Sequence, residues 1–183
     1  MSSVASLPAT LLALDFDGVL HPVFPRADRT DAENRHWSCL PALEAVLRDF
    51  PDVGVLVTSS WRTQREWSWL VDRFSPDIRP RLLGATPVLA ANGQGSRHDE
   101  VEAWLAAKGR TGEAWVGLDD VPDLYRPGAA VVAVDDGFTA SDAEALKEAL
   151  RAPALWAERH PVVWDSDLVL PKPRVRASPS SVP

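Results

Sequence analysis

Four short apolar runs constrain this chain more than any other feature: residues 11–16 (LLALDF), 53–57 (VGVLV), 114–118 (AWVGL) and 131–134 (VVAV), each closing on polar residues. Runs of this length without polar alternation read as strands buried on both faces, the kind found in parallel sheets. Between them lie stretches with helical spacing at 41–50, where Leu43, Val46, Leu47 and Phe50 share a face, and at 65–74, 97–108 and 141–150. Pro41 suits a first helical turn, and Ser141 followed by Glu144 predicts a capping box. Strands that alternate with helices are joined by right-handed crossovers. The expected architecture is therefore a three-layer α/β/α sandwich on a mainly parallel, Rossmann-like sheet. Ligands of such sheets bind beyond the carboxyl ends of the strands, so the polar residues that close the runs converge on one site.

The 183 residues suffice for one domain, expected over 1–170, with a short flap at about 21–39 and a flexible Pro- and Ser-rich tail at 171–183. One more short strand is expected near 81–83. A composition of 45% hydrophobic and 25% charged residues excludes a disordered chain. Against 26 acidic residues stand 19 basic ones, for a net charge of -7, and no Lys or Arg run supplies a counterion-release term. An extended, sequence-independent nucleic-acid-binding surface is disfavoured on that ground. No stretch approaches the roughly 20 apolar residues of a membrane span, and the N-terminal MSSVASLPAT lacks the basic segment of a secretory signal. The single Cys39 cannot form an internal disulfide. A cytoplasmic location is the expectation. The sequence carries no signal for oligomeric state.

The chemistry is concentrated where the first run ends, in Asp15-Phe16-Asp17-Gly18-Val19-Leu20. Residues i and i+2 of an extended chain point the same way, so Asp15 and Asp17 present two carboxylates together. Like charges that close call for a cation between them, and a hard divalent ion such as Mg²⁺, with its preference for oxygen ligands, is the natural one. Gly18 lets the chain turn away sharply.

These residues resemble the first motif, DxDG[TV][LV], of the haloacid dehalogenase (HAD) superfamily of aspartate-dependent phosphohydrolases. The resemblance implies that Asp15 is a nucleophile forming an aspartyl-phosphate and Asp17 the general acid/base. It implies a Ser or Thr for the phosphoryl group in VGVLVTSSWR, where Thr58 and Ser59 both qualify and the offset to Trp61 favours Ser59. It also implies a basic residue beside the nucleophile. Arg97 at a helix start is preferred to Lys108 at a helix end, and an Arg would be a permanently charged phosphate clamp. For the remaining metal carboxylates the choice is Asp119 and Asp120 in LDD, with Asp123 as an orienting acid. The competing pair is Asp135 and Asp136.

The order DFDGVLHP, TSSWR, GATP, an Arg-led helix ending in a WL pair, and LDD is similar more narrowly to the HAD domain of Swiss Army Knife RNA-repair proteins. That likeness implies removal of phosphate from a phosphorylated small molecule or macromolecular end, including a nucleic-acid end. The flap is too short for a substantial cap domain, so an open site is expected, with His21, Trp61 and Arg62 as substrate-facing candidates. The alternatives are a phosphate-binding or scaffold module without turnover, which the intact Asp15 and Asp17 disfavour, and a receiver domain. A receiver would need its phosphorylated Asp where Thr58, Ser59 and Ser60 stand.

Overall fold

The computed structural model describes residues 10–89 and 93–164. Five strands, β1 (Thr10–Leu14), β2 (Val53–Val57), β3 (Leu82–Ala85), β4 (Ala114–Asp119) and β5 (Val131–Ala133), form one sheet in the order β3-β2-β1-β4-β5 with every pairing parallel. The expected sandwich is present, and the extra strand starts one residue later than read. The central strand carries the first motif, and the chain reverses direction across the sheet there, which is where an α/β sheet opens its ligand crevice.

The side chains of each strand alternate between two cores. Leu12, Leu14, Val55, Val57, Val116, Leu118 and Val132 face α1 (Leu40–Asp49), α4 (Ala140–Arg151) and α5 (Pro153–Arg159). Leu70 of the short α2 (Trp67–Val71) lies in that same core. Leu11, Ala13, Leu56 and Val131 face Val101, Trp104 and Leu105 of α3 (Ser96–Ala107).

Three local expectations need correction. The helix read over 65–74 is a 3₁₀ turn (Ser60–Thr63) followed by only five helical residues, because Glu66 is extended. The cap of α4 is Thr139 rather than Ser141: the Thr139 hydroxyl accepts from the Asp142 N–H while the Asp142 carboxylate accepts from the Thr139 N–H. After α4, Pro153 begins a separate helix at a first-turn position, which the sequence reading left unassigned.

The flap over 21–39 holds only turns and is pinned by the loop after β5. Asp136 accepts from the Val23 N–H at 2.9 Å and lies 3.7 Å from the Arg26 guanidinium, while Gly137 and Phe138 donate to the carbonyls of Gly18 and Val19. No cap domain is present among the described residues. No helix among them is long and apolar enough to cross a membrane. The expected tail at 171–183 lies outside the described residues.

One side chain fastens the end of α1 to the start of β2. Arg81 donates to the carbonyls of Leu47, Phe50 and Val53, the first two of which also accept from the Phe50 and Val53 N–H groups of the turn between α1 and β2. Arg81→Met removes these bonds and keeps most of the volume, and we expect a loss of about 2 kcal/mol in urea unfolding.

Candidate active site

Strand register builds the site. Leu14 of β1 pairs with Val57 of β2 and Leu118 of β4. One residue further on, Thr58, Asp15 and Asp119 stand side by side at the carboxyl ends, with the Thr58 and Asp15 N–H groups donating to the carbonyls of Leu14 and Leu118. Alternation points all three side chains to the α3 side, the side of Leu11, Ala13 and Leu56. Thr86, whose N–H donates to the Val57 carbonyl, extends the row by one strand.

Arg97, in the first turn of α3, reaches down onto this row. Its Nη1 lies 3.0 Å from Asp15 Oδ2 and 2.5 Å from Asp119 Oδ2. Burial works against the guanidinium charge, but Asp119 and Asp15 outweigh it and raise the Arg97 pKa well above the ordinary value. Asp119 is completely buried and has both oxygens engaged: Oδ2 also accepts from the Tyr125 hydroxyl at 2.9 Å, and Oδ1 from the Val121 N–H at 2.9 Å. Tyr125 fits because β4 carries Gly117, where a Cβ would stand 2.9 Å from the tyrosine ring. Burial, with Asp119 beside it, raises the Tyr125 phenol well above its usual range, so it stays a donor.

Asp120 turns the other way, onto the first motif. A Cβ on Gly18 would lie 2.4 Å from Asp120 Oδ2, and Gly18 has φ +75°, so no side chain fits between them. Ligand atoms of Asp15, Asp119 and Asp120 all lie within 4.8 Å of one another. Burial, then Asp15 and Asp119, push Asp120 up to about 7. Asp119 rises to about 6 through burial, which Arg97 opposes and Asp15 reinforces. Carboxyls driven toward protonation by burial and by one another form a site short of positive charge, and the hard oxygen donors of Asp15 and Asp120, with Asp119 beside them, suit a divalent cation.

Asp17 does not join that cluster. Its Oδ1 accepts from His21 Nε2 at 3.0 Å and its Oδ2 from Trp61 Nε1 at 2.9 Å. His21 is completely buried, and the Trp37 N–H points at its Nδ1 at 3.5 Å, which leaves the proton on Nε2. Trp37 makes this contact at φ +69°, among the described residues the one non-glycine in the left-handed region. Trp61 is edge-on to Trp37 and His36 and stacked on Trp69. His21 and Trp61, the candidates for facing substrate, both donate to Asp17.

The other expected residues divide by contact. Ser59 Oγ accepts from the Trp61 N–H and caps the 3₁₀ turn, whereas the fully buried Thr58 Oγ1 has no partner. Arg62 is committed elsewhere: it donates to the carbonyls of Thr58, Ser59 and Thr86 and pairs with Glu100 at 2.6 Å. Asp123 enters through its backbone, its carbonyl accepting from the Gly95 N–H. Lys108 closes the far end of α3 beside Trp104. Asp136, as described, anchors the flap. Sequence reading missed Tyr125 and Glu100, which lie in no motif; a glycine inside β4 was the available sign that something bulky packs there.

A family model described as the HAD domain in Swiss Army Knife RNA repair proteins matches residues 11–149. No curated protein and no solved structure matches the chain significantly.

Two measurements test the cation site. Folded carboxyls titrating near 6 and 7 hold protons that the unfolded chain, with values near 4, has already released. Stability of the metal-free protein therefore falls as pH rises from about 4 to about 7. A divalent cation competes with those protons and should raise Tm more at pH 8 than at pH 5. A larger shift at pH 5 would contradict the assignment. Gly18→Ala, whose methyl collides with Asp120, should weaken divalent-cation affinity measured by calorimetry by about tenfold.

Proposed function

The chain belongs to the family of HAD domains in Swiss Army Knife RNA repair proteins, and from that premise we propose that it is a Mg²⁺-dependent phosphatase acting through an aspartyl-phosphate on an accessible phosphomonoester. The observation that carries this reading is the row Thr58–Asp15–Asp119 under Arg97, in which a carboxylate, an orphaned buried hydroxyl and a guanidinium converge at the strand ends. A phosphoryl group at that place meets a nucleophile and donors for its oxygens.

In the proposed reaction an Asp15 oxygen attacks phosphorus as the bond to the leaving oxygen breaks, and Asp17 delivers a proton to that oxygen. Asp17 then takes a proton from water as the water attacks the acyl phosphate, which releases inorganic phosphate and restores Asp15. Thr58 Oγ1 and Arg97 hold the non-bridging oxygens; the unpartnered hydroxyl favours Thr58 over Ser59 for this role. The N–H groups of His21 and Trp61 fix the direction of the Asp17 carboxyl. Asp15 and Asp120 would hold Mg²⁺, since Asp119 spends its oxygens on Arg97, Tyr125 and the Val121 N–H. The bound ion would neutralise the crowded carboxylates and polarise the phosphoryl oxygens.

The flap is short and no cap covers the strand ends among the described residues, so the reading extends to phosphate at a macromolecular end, including the nucleic-acid ends that the family description suggests. With a net charge of -7, such an end would be gripped locally at its phosphate.

Hydrolysis of p-nitrophenyl phosphate with Mg²⁺ and with EDTA tests the proposal. We expect EDTA to abolish turnover and Asp15→Asn and Asp120→Asn each to lower it by more than about 10³-fold. Asp135→Asn, on an exposed residue after β5, should leave it within about twofold. Loss of turnover in Asp135→Asn but not in Asp120→Asn would assign the metal to the other acidic pair. No Asp15-dependent turnover would leave a phosphate-binding module.

A further inference from the structure

The chain continues past the residues matched by the family, through α5 to a segment that returns to the site from behind. Val162 is buried in the core between the sheet and α3, among Val101, Leu105 and Tyr125. Two residues on, the Trp164 indole N–H donates to the Tyr125 carbonyl at 2.7 Å. Its ring lies against Gly95, where a Cβ would stand 3.2 Å from Cζ2 and 3.6 Å from Cη2. Trp164 is 38% exposed, so the core does not depend on its burial. Its two directed contacts fall on the two elements that hold Arg97.

One of those elements is Tyr125, whose hydroxyl bonds Asp119, which in turn holds the Arg97 guanidinium. The other is the start of α3. Gly95 caps that helix two residues before Arg97, and its N–H donates to the Asp123 carbonyl at 2.9 Å. Arg126, next to Tyr125, pairs with Asp99 of the same helical turn at 2.7 Å. The backbone of Arg97 and the carboxylate that receives its head are thus tied to one indole. An arginine side chain has many rotamers, and both ends need fixing to select one.

We propose that Trp164 is a positioning residue: bound to Tyr125 and seated on Gly95, it sets the Arg97 guanidinium over Asp15 and so sets the affinity of the site for a phosphoryl group. This rests on the proposed phosphatase reading for its phosphate readout, but not for its effect on Arg97.

The test uses the full chain with Trp164→Ala, Trp164→Phe and Tyr125→Phe, and with Val163→Ala on the neighbouring exposed residue as control. Native near-UV circular dichroism qualifies a variant as folded. We expect Trp164→Ala and Tyr125→Phe each to raise the KM for p-nitrophenyl phosphate and the inhibition constant of inorganic phosphate by about tenfold, with kcat changed by less than about threefold. Val163→Ala should change neither. In an Arg97→Ala background the Trp164 effect should vanish, because the group it positions is gone. A folded Trp164→Ala protein with unaltered phosphate inhibition, or one that loses the same factor without Arg97, overturns the proposal. If Trp164→Ala does not fold, Trp164→Phe decides: it keeps a ring on Gly95, loses the bond to Tyr125, and should weaken phosphate inhibition by about threefold, no change being the refutation. A second readout needs no turnover. The Arg97 Nε–H signal in NMR, identified by its absence in Arg97→Lys, should exchange slowly with water in the wild type and at least about tenfold faster in Trp164→Phe. That result in a protein without phosphatase activity would sink the phosphatase and keep the clamp; equal exchange rates would sink the clamp.

Discussion

The arrangement depends on one buried ion group, the Arg97 guanidinium held between Asp15 and Asp119. Parallel register delivers carboxylates to the same level on adjacent strands, at the end of the sheet and out of water. Their mutual repulsion would open that end if nothing offset it. A single arginine from the helix above offsets two of them, and Asp120 completes with them a carboxylate cluster that could hold a cation. Attraction inside a low-dielectric site is strong only where partners are held in place, so the surrounding structure is largely scaffolding for a few oxygen and nitrogen positions.

That scaffolding works by close approach. Gly18 admits the Asp120 carboxylate to the first-motif turn, and Gly117 admits the Tyr125 ring to the strand that carries Asp119. In both places a methyl group would occupy the space of a polar side chain that orients a charge. Arg62 performs a related service beneath the row. Its guanidinium donates to the Thr58, Ser59 and Thr86 carbonyls where β2 and β3 end and to the Glu100 carboxylate of α3. The flap contributes through His21 and, packed against it, Trp61 of the 3₁₀ turn, which together satisfy both oxygens of Asp17. It is short, yet it fixes the direction of a carboxylate that the first motif alone leaves free to turn toward Asp15 and Asp120.

Asp17 shows where local spacing stops setting side-chain direction. Residues i and i+2 of a strand share a face, and from that rule Asp15 and Asp17 form a pair. The rule holds while the chain is extended, and β1 ends at Leu14. Beyond it the chain enters the Gly18 turn, so spacing no longer sets direction and hydrogen bonding to His21 and Trp61 does. Arg62 follows the same logic: adjacency to the site in sequence suggests substrate contact, whereas its guanidinium is held by the carbonyls of Thr58, Ser59 and Thr86 and by Glu100.

The sequence by itself determined the layer architecture, the parallel sheet, the strand ends where polar residues converge and the acidic first motif, because burial on both faces is written in short apolar runs, crossover handedness follows from strand twist, and the motif is a contiguous stretch. The contacts within the site were decided by tertiary structure. Asp119 or Asp120, Thr58 or Ser59, and Arg97 or Lys108 are equivalent as neighbours in sequence or as spacings. They become different only when register sets Thr58 and Asp119 beside Asp15, when Tyr125 and Arg97 saturate one carboxylate, and when α3 presents its first turn rather than its last. Those are contacts between residues far apart in the chain, and local pattern does not encode which side chain an orphaned donor or a buried charge will meet.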